Sequence, residues 1–494
     1  MADNITASFD AVKKWIGNPL SRAALRFFAK EDQCGNRLSL AVDYYLGEPV
    51  DACWKCRMAG RFMRRTLTTG EHFFGVKDAE VRSALGQPPF KKGLVTILQS
   101  IAAYGVTMPQ KIYAPILVVW DCTHACNLKC KHCYQDAQKK LADELSTEEA
   151  KRMLDDLAKS NVVALAFSGG EPLMRKDFFE VAKYAREQGM FLALATNGTL
   201  ITKEVAKKLK EIGFEYVEIS IDGKDAATHD GFRGSPGMFE RSVEGIKNCV
   251  AEGLYTCVAT TPTQDNLTEI PAIYDLARDL KAARLVMFNF IPTGRGVTMA
   301  EGDLSPDERE ALLKQMFDKN YDGSTEVLSS APQYARVAMG SAGVSVGHFL
   351  TYKDVDDRAL GLLEFIGGCG AGRHYCCIRP NGDIEPCVFM RLKVGNVREN
   401  RLLDVWHSSP LLEQLRGDRN NLKGHCGVCD HRYVCGGCRA RALAYFGDLN
   451  APDPGCINNR DAWEEVVRRG SKVEPLPQAP GPAGSADQAT GSQI

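Results

Sequence analysis

The alternation of short apolar runs with amphipathic helices between residues 113 and 320 constrains the fold of this 494-residue chain more than any other feature. The strand-like runs are Ile116–Trp120, Val162–Phe167, Phe191–Thr196, Tyr216–Ile221, Tyr255–Thr260 and Leu285–Phe290. Strand–helix units in series predict a parallel sheet with right-handed crossovers. In such α/β folds the functional side chains lie at the carboxyl ends of the strands. We therefore expect chemistry directly after these runs.

The helix after the first run has the clearest pattern. Ser146 and Glu149 have the spacing of a capping box, which satisfies backbone N–H groups at a helix start. Apolar residues then repeat at i, i+3, i+4 and i+7, as Ala150, Met153, Leu154 and Leu157. The pattern predicts a helix that packs one face against the sheet.

Four cysteines follow the first run within twelve residues, and the last three, Cys126, Cys130 and Cys133, have the spacing Cys-x3-Cys-x2-Cys. Cysteine thiolates are the usual ligands of a [4Fe–4S] cluster, so three of them on one loop leave one iron open. An open position is typical of a catalytic metal site. Cys122, the first of the four, ends an apolar run and is predicted to be a small packing residue.

Two ordinary explanations of this loop are weaker. A zinc knuckle normally has a second ligand pair at a fixed spacing, and none follows nearby. A disulfide framework is not expected in a long chain without a secretory segment. The loop therefore predicts an iron–sulfur cluster.

With this loop the chain resembles the radical S-adenosylmethionine (SAM) family, whose open iron is chelated by SAM. The resemblance implies an α/β fold with a partial (βα)6 TIM-like barrel at 113–320, which six strand–helix units suit. It makes Cys126, Cys130 and Cys133 the catalytic cluster ligands. It also implies a reaction, in which a reduced cluster cleaves SAM to a 5′-deoxyadenosyl radical that abstracts hydrogen from a substrate.

The same resemblance implies a SAM pocket built from the ends of successive strands. The GGEP element after the second run would bind the amino group of SAM, and residues after the third and fourth runs would contact the rest. Alone, these segments also suit ordinary turns. The expected cofactor-binding residues are His132, Gly169, Gly170, Glu171, Pro172, Thr196, Asn197, Ser220, Asp222 and Arg233. Among them, His132 is expected to act as a flat ring against adenine, and Arg233 to reach the SAM carboxylate.

A second cysteine-rich block, 369–460, resembles the SPASM domain, an extension that binds one or two auxiliary [4Fe–4S] clusters. By analogy, Cys369, Cys387 and Cys438 would serve one cluster, and the other would be held by Cys426, Cys429, Cys435 and Cys456. The first set is one ligand short of four. Either Cys376 or Cys377 supplies the fourth ligand, or the cluster has an open iron, or this cluster is absent. The CGGC spacing is also one residue shorter than usual, and a four-cysteine zinc site is the alternative reading of this block.

The remaining segments are less specific. Residues 1–112 read as a helical N-terminal domain, with a helical run from Leu38 to Tyr45, and 321–368 as a linker region. Cys34 and the pair Cys53 and Cys56 lie in the first of these. A CxxC pair can begin a zinc or cluster site, but packed or free thiols suit these three cysteines at least as well. The tail, 471–494, is rich in Pro, Gly, Ala and Ser, and is predicted to be disordered.

Composition bounds the environment and partners. Basic and acidic residues balance, 61 against 62, so no charge excess indicates nucleic acid or an anionic membrane. No export signal or membrane span is visible, so we expect a cytoplasmic protein. Eighteen cysteines in a reducing compartment indicate metal binding, and exposed clusters favour an anaerobic host. The family resemblance adds a low-potential electron donor such as ferredoxin or flavodoxin.

The substrate is the least determined property. SPASM proteins commonly modify peptides, so a peptide or protein side chain is the first expectation, which would make the chain a maturase. The stretch CGGCRARALAYFGDLNAPDPGC is similar to radical SAM enzymes of the alternative haem routes, so side-chain chemistry on a haem-precursor tetrapyrrole, such as oxidative decarboxylation, is the second. A non-catalytic iron–sulfur carrier or scaffold is a third, which the GGEP element argues against.

Overall fold

The structure is a computed structural model. It describes residues 17–48, 53–74, 78–321, 325–341, 343–346, 350–353 and 364–473. The predicted disordered tail therefore lies outside the described residues, apart from its first three. None of the helices within these ranges is long and apolar enough to cross a membrane.

Helices and one short hairpin make up the described part of the first 112 residues. The helices are α1 (Pro19–Phe28), α2 (Arg37–Leu46), α3 (Trp54–Phe74), α4 (Asp78–Leu85) and α5 (Pro88–Tyr104). Strands β1 (Glu31–Asp32) and β2 (Gly35–Asn36) pair antiparallel, so Gln33 and Cys34 form the turn between them. The predicted helical run lies in α2, which buries Leu38, Ala41, Val42 and Tyr45. These helices share an apolar core of their own.

A parallel sheet forms the centre of the molecule, and its strands confirm the six predicted runs to within a few residues. They are β3 (Leu117–Thr123), β4 (Ala164–Gly169), β5 (Phe191–Thr196), β6 (Phe214–Ser220), β7 (Thr256–Thr260) and β8 (Arg284–Met287). Each pairs in parallel with the next. The helices that connect them are α6 (Thr147–Lys159), α7 (Phe178–Glu187), α8 (Lys203–Ile212), α9 (Ala226–Arg233), α10 (Met238–Ala251) and α11 (Ile270–Asp279).

Helix α6 begins as its sequence predicts. The Glu149 N–H donates to the Ser146 side chain at 3.3 Å, and the Glu149 carboxylate accepts from the Ser146 N–H at 2.9 Å. These two bonds confirm the capping box. The four apolar residues at helical spacing are all buried against the sheet.

The sheet continues beyond the six predicted strands at both edges. At one edge, β9 (Glu326–Ser329) pairs in parallel with β8 and lies in the stretch predicted as a linker. At the other, β12 (Tyr375–Ile378) pairs in parallel with β3, and a further antiparallel pair follows, β13 (Asp383–Glu385) and β14 (Gly395–Asn396). Within the described ranges no ladder joins the two edges, so the barrel is open. The cysteine-rich block thus supplies strands to the barrel sheet.

The linker stretch also contains regular structure. Helix α12 (Pro306–Asp318) precedes it, and α13 (Gln333–Gly340) and the hairpin of β10 (Gly343–Val346) and β11 (Leu350–Lys353) lie within it. The C-terminal helices are α14 (Leu402–Ser408), α15 (Pro410–Leu415), α16 (His425–Val428), α17 (Arg439–Phe446) and α18 (Arg460–Arg468).

A buried polar network fastens the C-terminal block to the barrel. Arg441, on α17, is fully buried and donates to the side chain of Asn289 at 2.8 Å. Asp303 forms a 2.6 Å ion pair with Arg309 and accepts from the Tyr445 hydroxyl at 3.0 Å. Because breaking a buried charge pair is costly, this network fixes the C-terminal block against the loops at the top of the barrel.

Candidate active site

The cluster loop leaves the carboxyl end of β3, as predicted. Cys130 is buried, whereas Cys126 and Cys133 are half-buried. The Cys126 N–H donates to the carbonyl of Gln138 at 3.1 Å, which closes the loop on itself. Cys122 is completely buried in the core beside it, in agreement with a packing role.

Arg295, which sequence reasoning missed, holds the loop from one side. Its backbone N–H donates to the Cys133 carbonyl and its Nε to the Cys130 carbonyl, both at 2.9 Å. Its guanidinium also forms a 2.8 Å ion pair with Asp136. The preceding Gly294 has φ +60° and packs so closely that a Cβ would overlap the Cys133 carbonyl. The only sequence signal was a Gly-Arg-Gly after the sixth run.

The end of α9 holds the other side of the loop. The Arg233 carbonyl accepts from the Lys129 N–H at 3.2 Å, and Nη1 of Arg233 lies 3.7 Å from Sγ of Cys130. Its Nη2 forms a 2.6 Å ion pair with Asp222. Burial opposes ionisation of Asp222, but Arg233, His132 and the Thr261 N–H outweigh it and lower the pKa of the carboxyl.

His132 stacks on Phe232, with ring centroids 4.4 Å apart. Burial lowers the pKa of the imidazole to about 4, so the ring is neutral at pH 7. Its Nδ1 is buried and has no hydrogen-bond partner among the described residues. A neutral flat ring with an unsatisfied nitrogen suits a pocket for a planar heterocycle.

The GGEP element follows β4, where it approaches the cluster loop closely. A Cβ on Gly169 would overlap the Thr123 carbonyl, and a Cβ on Gly170 the Ala125 carbonyl. The two glycines are therefore required by the backbone of the cluster loop, in addition to any ligand. Pro172 is buried and begins a short 3₁₀ turn.

Glu171 is fully buried and binds the end of β5. Its carboxylate accepts from the Thr196 hydroxyl at 2.8 Å and from the Asn197 N–H at 2.9 Å. Asn197 in turn donates to the side chain of Asn127, on the cluster loop, at 2.8 Å. Burial raises the pKa of Glu171 despite these donors. Glu171 thus ties the ends of two strands to the loop.

A single cavity of about 580 Å³ joins most of the predicted residues. The SAM-pocket predictions that line it are His132, Gly169, Gly170, Thr196, Asn197, Ser220 and Arg233, together with Cys126, Cys130 and Cys133. Glu171, Pro172 and Asp222 are not among its lining residues and lie behind it. The structure therefore separates a lining set from a supporting set, a distinction that the sequence did not give.

The donor sets fit iron–sulfur clusters. Among the residues that the structure describes, the Sγ atoms of the loop cysteines do not lie within 4.8 Å of one another. Ligands of a single ion would be closer, because a Zn–S bond of about 2.3 Å places tetrahedral ligands about 3.8 Å apart. The body of a cubane holds its thiolates further apart, so the wider spacing suits a cluster.

The first auxiliary set lines the same cavity. Cys369, Cys387 and Cys438 face it, and the Tyr375 hydroxyl donates to Sγ of Cys387 at 2.7 Å. Cys376 and Cys377 are fully buried in β12 and do not line the cavity. Neither is therefore placed to complete the set in this structure.

The second auxiliary set is grouped apart from the first. Cys426, Cys429, Cys435 and Cys456 line a separate small cavity with Arg336 and His431. Asp453 is buried between the sets, since its carboxylate accepts from the Cys438 N–H at 2.7 Å and its carbonyl from the Cys456 N–H at 3.2 Å. The grouping agrees with the division implied by the SPASM resemblance.

A carboxyl inside the barrel was also missed by sequence reasoning. Glu218 lines the cavity two residues before Ser220 on β6, and it accepts from the Tyr216 hydroxyl at 3.0 Å. Burial raises the pKa of Glu218 to about 7. The alternation of side chains along a strand places Glu218 directly beneath Ser220 on the same face. A carboxyl with a pKa near neutrality therefore lines the same cavity as the cluster loop.

Family models match two parts of the chain. Residues 120–277 match the radical SAM superfamily, and 369–430 match an iron–sulfur cluster-binding domain called SPASM. Both matches fall on the elements that carry the two cysteine-rich segments.

Curated relatives are similar over about seven-tenths of this chain. An AdoMet-dependent heme synthase from Methanosarcina barkeri is 36% identical over 70% of this chain and 97% of its own length. A pre-heme d1 synthase from Dinoroseobacter shibae is 34% identical, over 69% and 85%. The mycofactocin maturase MftC from Mycolicibacterium smegmatis is 31% identical, over 74% and 87%.

Solved structures share the fold at low identity. SuiB from Streptococcus suis, bound to its precursor peptide SuiA, superposes with a TM-score of 0.60 and 17% identity, over 85% of this chain and 92% of SuiB. The structure titled anSMEcpe with bound AdoMet superposes with a TM-score of 0.54 and 20% identity, over 72% and 97%. These likenesses support the barrel and its cysteine-rich extension.

Proposed function

Because this chain belongs to the radical SAM superfamily, we propose that Cys126, Cys130 and Cys133 hold its catalytic [4Fe–4S] cluster. Family membership makes the protein an enzyme whose cofactors are SAM, this cluster and auxiliary iron–sulfur clusters. When bound together, the reduced cluster and SAM supply a 5′-deoxyadenosyl radical, and the protein orients that chemistry. The rest of the proposal concerns what this chain's own residues do.

We assign direct contact with SAM to the lining set, and positioning to the supporting set. Ser220, Thr196 and the backbone at Gly169 and Gly170 present polar atoms to the cavity, and His132 offers its ring. Asp222 orients Arg233, since the two form a buried ion pair. Glu171 keeps the cluster loop and the end of β5 together through its hydrogen bonds. Pro172 starts the turn behind them.

We assign the auxiliary clusters to the two C-terminal cysteine sets. Cys369, Cys387 and Cys438 supply three ligands beside the main cavity. A separate cluster would be held by Cys426, Cys429, Cys435 and Cys456. The domain boundaries that go with this proposal are 1–112, 113–320, 321–368 and 369–460.

One observation supports an oxidative reaction: a single cavity is lined by both the catalytic cysteines and the first auxiliary set. A substrate bound there lies between the place where hydrogen is abstracted and a redox group that can accept an electron. Glu218 faces the same space and can hold or release a proton near neutral pH, whereas burial raises the pKa of the neighbouring Tyr216 hydroxyl so that it keeps its proton. Oxidation of a substrate side chain needs these elements together.

For the substrate we propose a haem-precursor tetrapyrrole that carries propionate side chains. The support is the similarity of this chain to enzymes named for haem and haem d1 synthesis, at 34–36% identity. A cavity of about 580 Å³ within the barrel also has room for a compact rigid ligand. A peptide side chain, the first expectation from the SPASM pattern, is the second candidate, because the mycofactocin maturase is 31% identical.

We further propose that the enzyme works in the cytoplasm with a low-potential donor such as ferredoxin or flavodoxin. A reducing compartment keeps the cluster thiols from forming disulfides. The test below uses dithionite as the reductant in place of the protein donor. The proposed reaction can therefore be tested independently of the proposed donor.

The test is an anaerobic assay of the reconstituted protein with dithionite, SAM and an iron-bearing or metal-free tetrapyrrole propionate. We expect release of 5′-deoxyadenosine, which carries the abstracted hydrogen, together with a tetrapyrrole in which a propionate has become a vinyl group by loss of that hydrogen, one electron to an auxiliary cluster and carbon dioxide, read by mass spectrometry. Cys130→Ala should abolish both signals, whereas Cys122→Ala, at a buried thiol outside the cluster set, should keep them. SAM cleavage that leaves every tetrapyrrole unchanged would reject this substrate class in favour of a peptide.

A further inference from the structure

A third group of cysteines converges in the N-terminal helical domain, outside both family matches. Cys34 lies in the turn of the β1–β2 hairpin, and Cys53 and Cys56 lie at the start of α3. The three Sγ atoms are within 4.8 Å of one another, and those of Cys53 and Cys56 are 3.6 Å apart. Eighteen residues separate Cys34 from Cys53, so folding brings the thiols together.

Local structure explains why these thiols face one another. The Cys53 carbonyl accepts from the Arg57 N–H at 3.0 Å, which places Cys53 at the amino end of α3. Cys56 is three residues further on, and residues at i and i+3 lie on the same side of a helix. The hairpin turn ends at Gly35, whose φ of +98° favours glycine, and brings Cys34 over this helix end.

The electrostatic surroundings favour thiolates. The amino end of a helix carries partial positive charge, which lowers thiol pKa values. Lys55 and Arg57 flank Cys56 in the sequence and add positive charge. Cys56 is only 2% exposed, which shields one metal–sulfur bond from solvent.

Spacing distinguishes one metal ion from a cluster. Thiolates around a tetrahedral zinc ion, with bonds of about 2.3 Å, lie about 3.8 Å apart. The 3.6 Å separation of Cys53 and Cys56 matches that value. A redox disulfide would use only two of the thiols and leave the third unexplained. Within the described part of the chain, no other three His, Cys, Asp or Glu residues converge as closely.

We propose that Cys34, Cys53 and Cys56 supply three ligands of a mononuclear zinc site that is separate from the iron–sulfur clusters. The ion joins the hairpin between α1 and α2 to the first turn of α3. Small domains with limited cores are often stabilised by such a metal. The site is separate from SAM cleavage, so its failure and the failure of the proposed function can be told apart.

Zinc and iron should be measured per chain in full-length protein, purified anaerobically and reconstituted with iron and sulfide. Three proteins are compared: wild type, the double variant Cys53→Ala/Cys56→Ala, and the control Cys249→Ala, at a buried thiol on α10. We expect about one zinc per chain in wild type and the control, and loss of at least four-fifths of it in the double variant. Iron content and 5′-deoxyadenosine release should remain unchanged in all three.

Two results would overturn the proposal. Equal zinc in wild type and the double variant would mean that these cysteines do not bind it. A loss of iron in the double variant would mean that the trio holds a cluster instead.

A conservative variant protects the test against misfolding. Cys34→His keeps a zinc-binding side chain, whereas Cys34→Ala does not. We expect zinc to be retained in the first and lost in the second. Replacement of zinc by Co²⁺ should give wild type the absorption bands of a tetrahedral thiolate site, with weaker thiolate charge transfer in Cys34→His. Zinc at the wild-type level in Cys34→Ala, with native circular dichroism, would reject Cys34 as a ligand.

Discussion

The cluster loop of the barrel and the N-terminal cysteine trio contain the same number of thiols but differ in how they are built. The loop places Cys126, Cys130 and Cys133 within eight residues, held by Arg295 on one side and Arg233 on the other. The trio joins a hairpin turn to a helix start. The loop thiols are spread apart, whereas the trio is within 4.8 Å. Sequence spacing alone therefore does not set the distance between ligands; the supporting elements do.

The cluster loop and the cysteine trio are held in place by different contacts, so we expect different substitutions to affect them. The loop is fixed by hydrogen bonds to its backbone, which orient ligands without touching the metal. The trio is fixed by secondary structure on either side of it. We expect perturbations of one region to leave the metal content of the other unchanged, and the following experiments examine that expectation.

The largest effect is expected for Arg295→Ala. This change removes the Nε bond to the Cys130 carbonyl and the ion pair with Asp136. Loss of such supporting contacts typically costs about 10- to 100-fold in metal affinity or activity. 5′-Deoxyadenosine release and cluster iron should fall accordingly, while zinc stays constant. Arg278→Ala, on exposed α11, is the control, and activity equal to wild type in Arg295→Ala would refute the supporting role.

A second effect concerns the carboxyl inside the barrel. The folded-state pKa of Glu218 is about 7, above its ordinary value of 4.5, because burial disfavours the charged form. A raised pKa means that its stabilising contribution is complete below pH 4.5 and is lost as the pH rises through about 7. Glu218→Gln should remove this loss and raise the unfolding free energy at pH 8, relative to pH 5, by about 2–3 kcal/mol.

Urea unfolding at the two pH values, monitored by circular dichroism, measures this difference. Glu211→Gln, at an exposed position on α8, should follow wild type. An identical pH dependence in Glu218→Gln and wild type would contradict the assignment.

Removal of zinc should have a smaller and local effect. A chelator that strips zinc but leaves the clusters should destabilise the helical domain by at least about 1 kcal/mol, which corresponds to about 4–8 °C in the melting temperature of a domain of this size. Differential scanning calorimetry before and after chelation measures the shift. The double variant Cys53→Ala/Cys56→Ala lacks two of the zinc ligands, so the chelator should not change its melting temperature. A shift as large as that of wild type would argue against the zinc site.

The smallest effect is expected at the surface contact between the barrel and the C-terminal block. Arg398 pairs with Glu149 at 2.7 Å, and both side chains are partly exposed. Exposed ion pairs contribute about 0–1 kcal/mol. Arg398→Ala should therefore lower the unfolding free energy by less than about 1 kcal/mol and leave both metals in place. A larger loss would mean that the contact supports the sheet edge more strongly than its exposure implies.

The fold was predictable where apolar runs were long and separated by clear helices. All six runs became strands, and α6 began at the capping box. Four further strands of the sheet were missed, and two of them show the physical reason. β9 has only four residues, too few to show a period, and β12 contains Cys376 and Cys377, whose residue type indicated ligation rather than pairing. Whether a short segment forms a strand depends on its pairing with strands that are distant in the sequence. The local sequence pattern does not show that pairing.

Most of the residues predicted for the candidate site line one cavity, but the sequence did not distinguish those that line it from those that lie behind it. The sequence indicated Asp222 and Glu171 as contacts, whereas the structure places both behind the cavity, where they hold Arg233 and the end of β5. Arg295 and Glu218 gave no clear signal, since one follows a strand in a loop and the other interrupts an apolar alternation. Packing brings these distant segments together at the cavity, and local sequence patterns do not show which segments will meet.

The most direct test of the account is the iron content of the anaerobically reconstituted protein, compared with the Cys126→Ala/Cys130→Ala/Cys133→Ala variant. We expect about twelve irons per chain to fall to about eight, since one [4Fe–4S] cluster is lost and two auxiliary clusters remain. Iron that is equal in the two proteins would contradict the assignment of the catalytic cluster to the loop after β3.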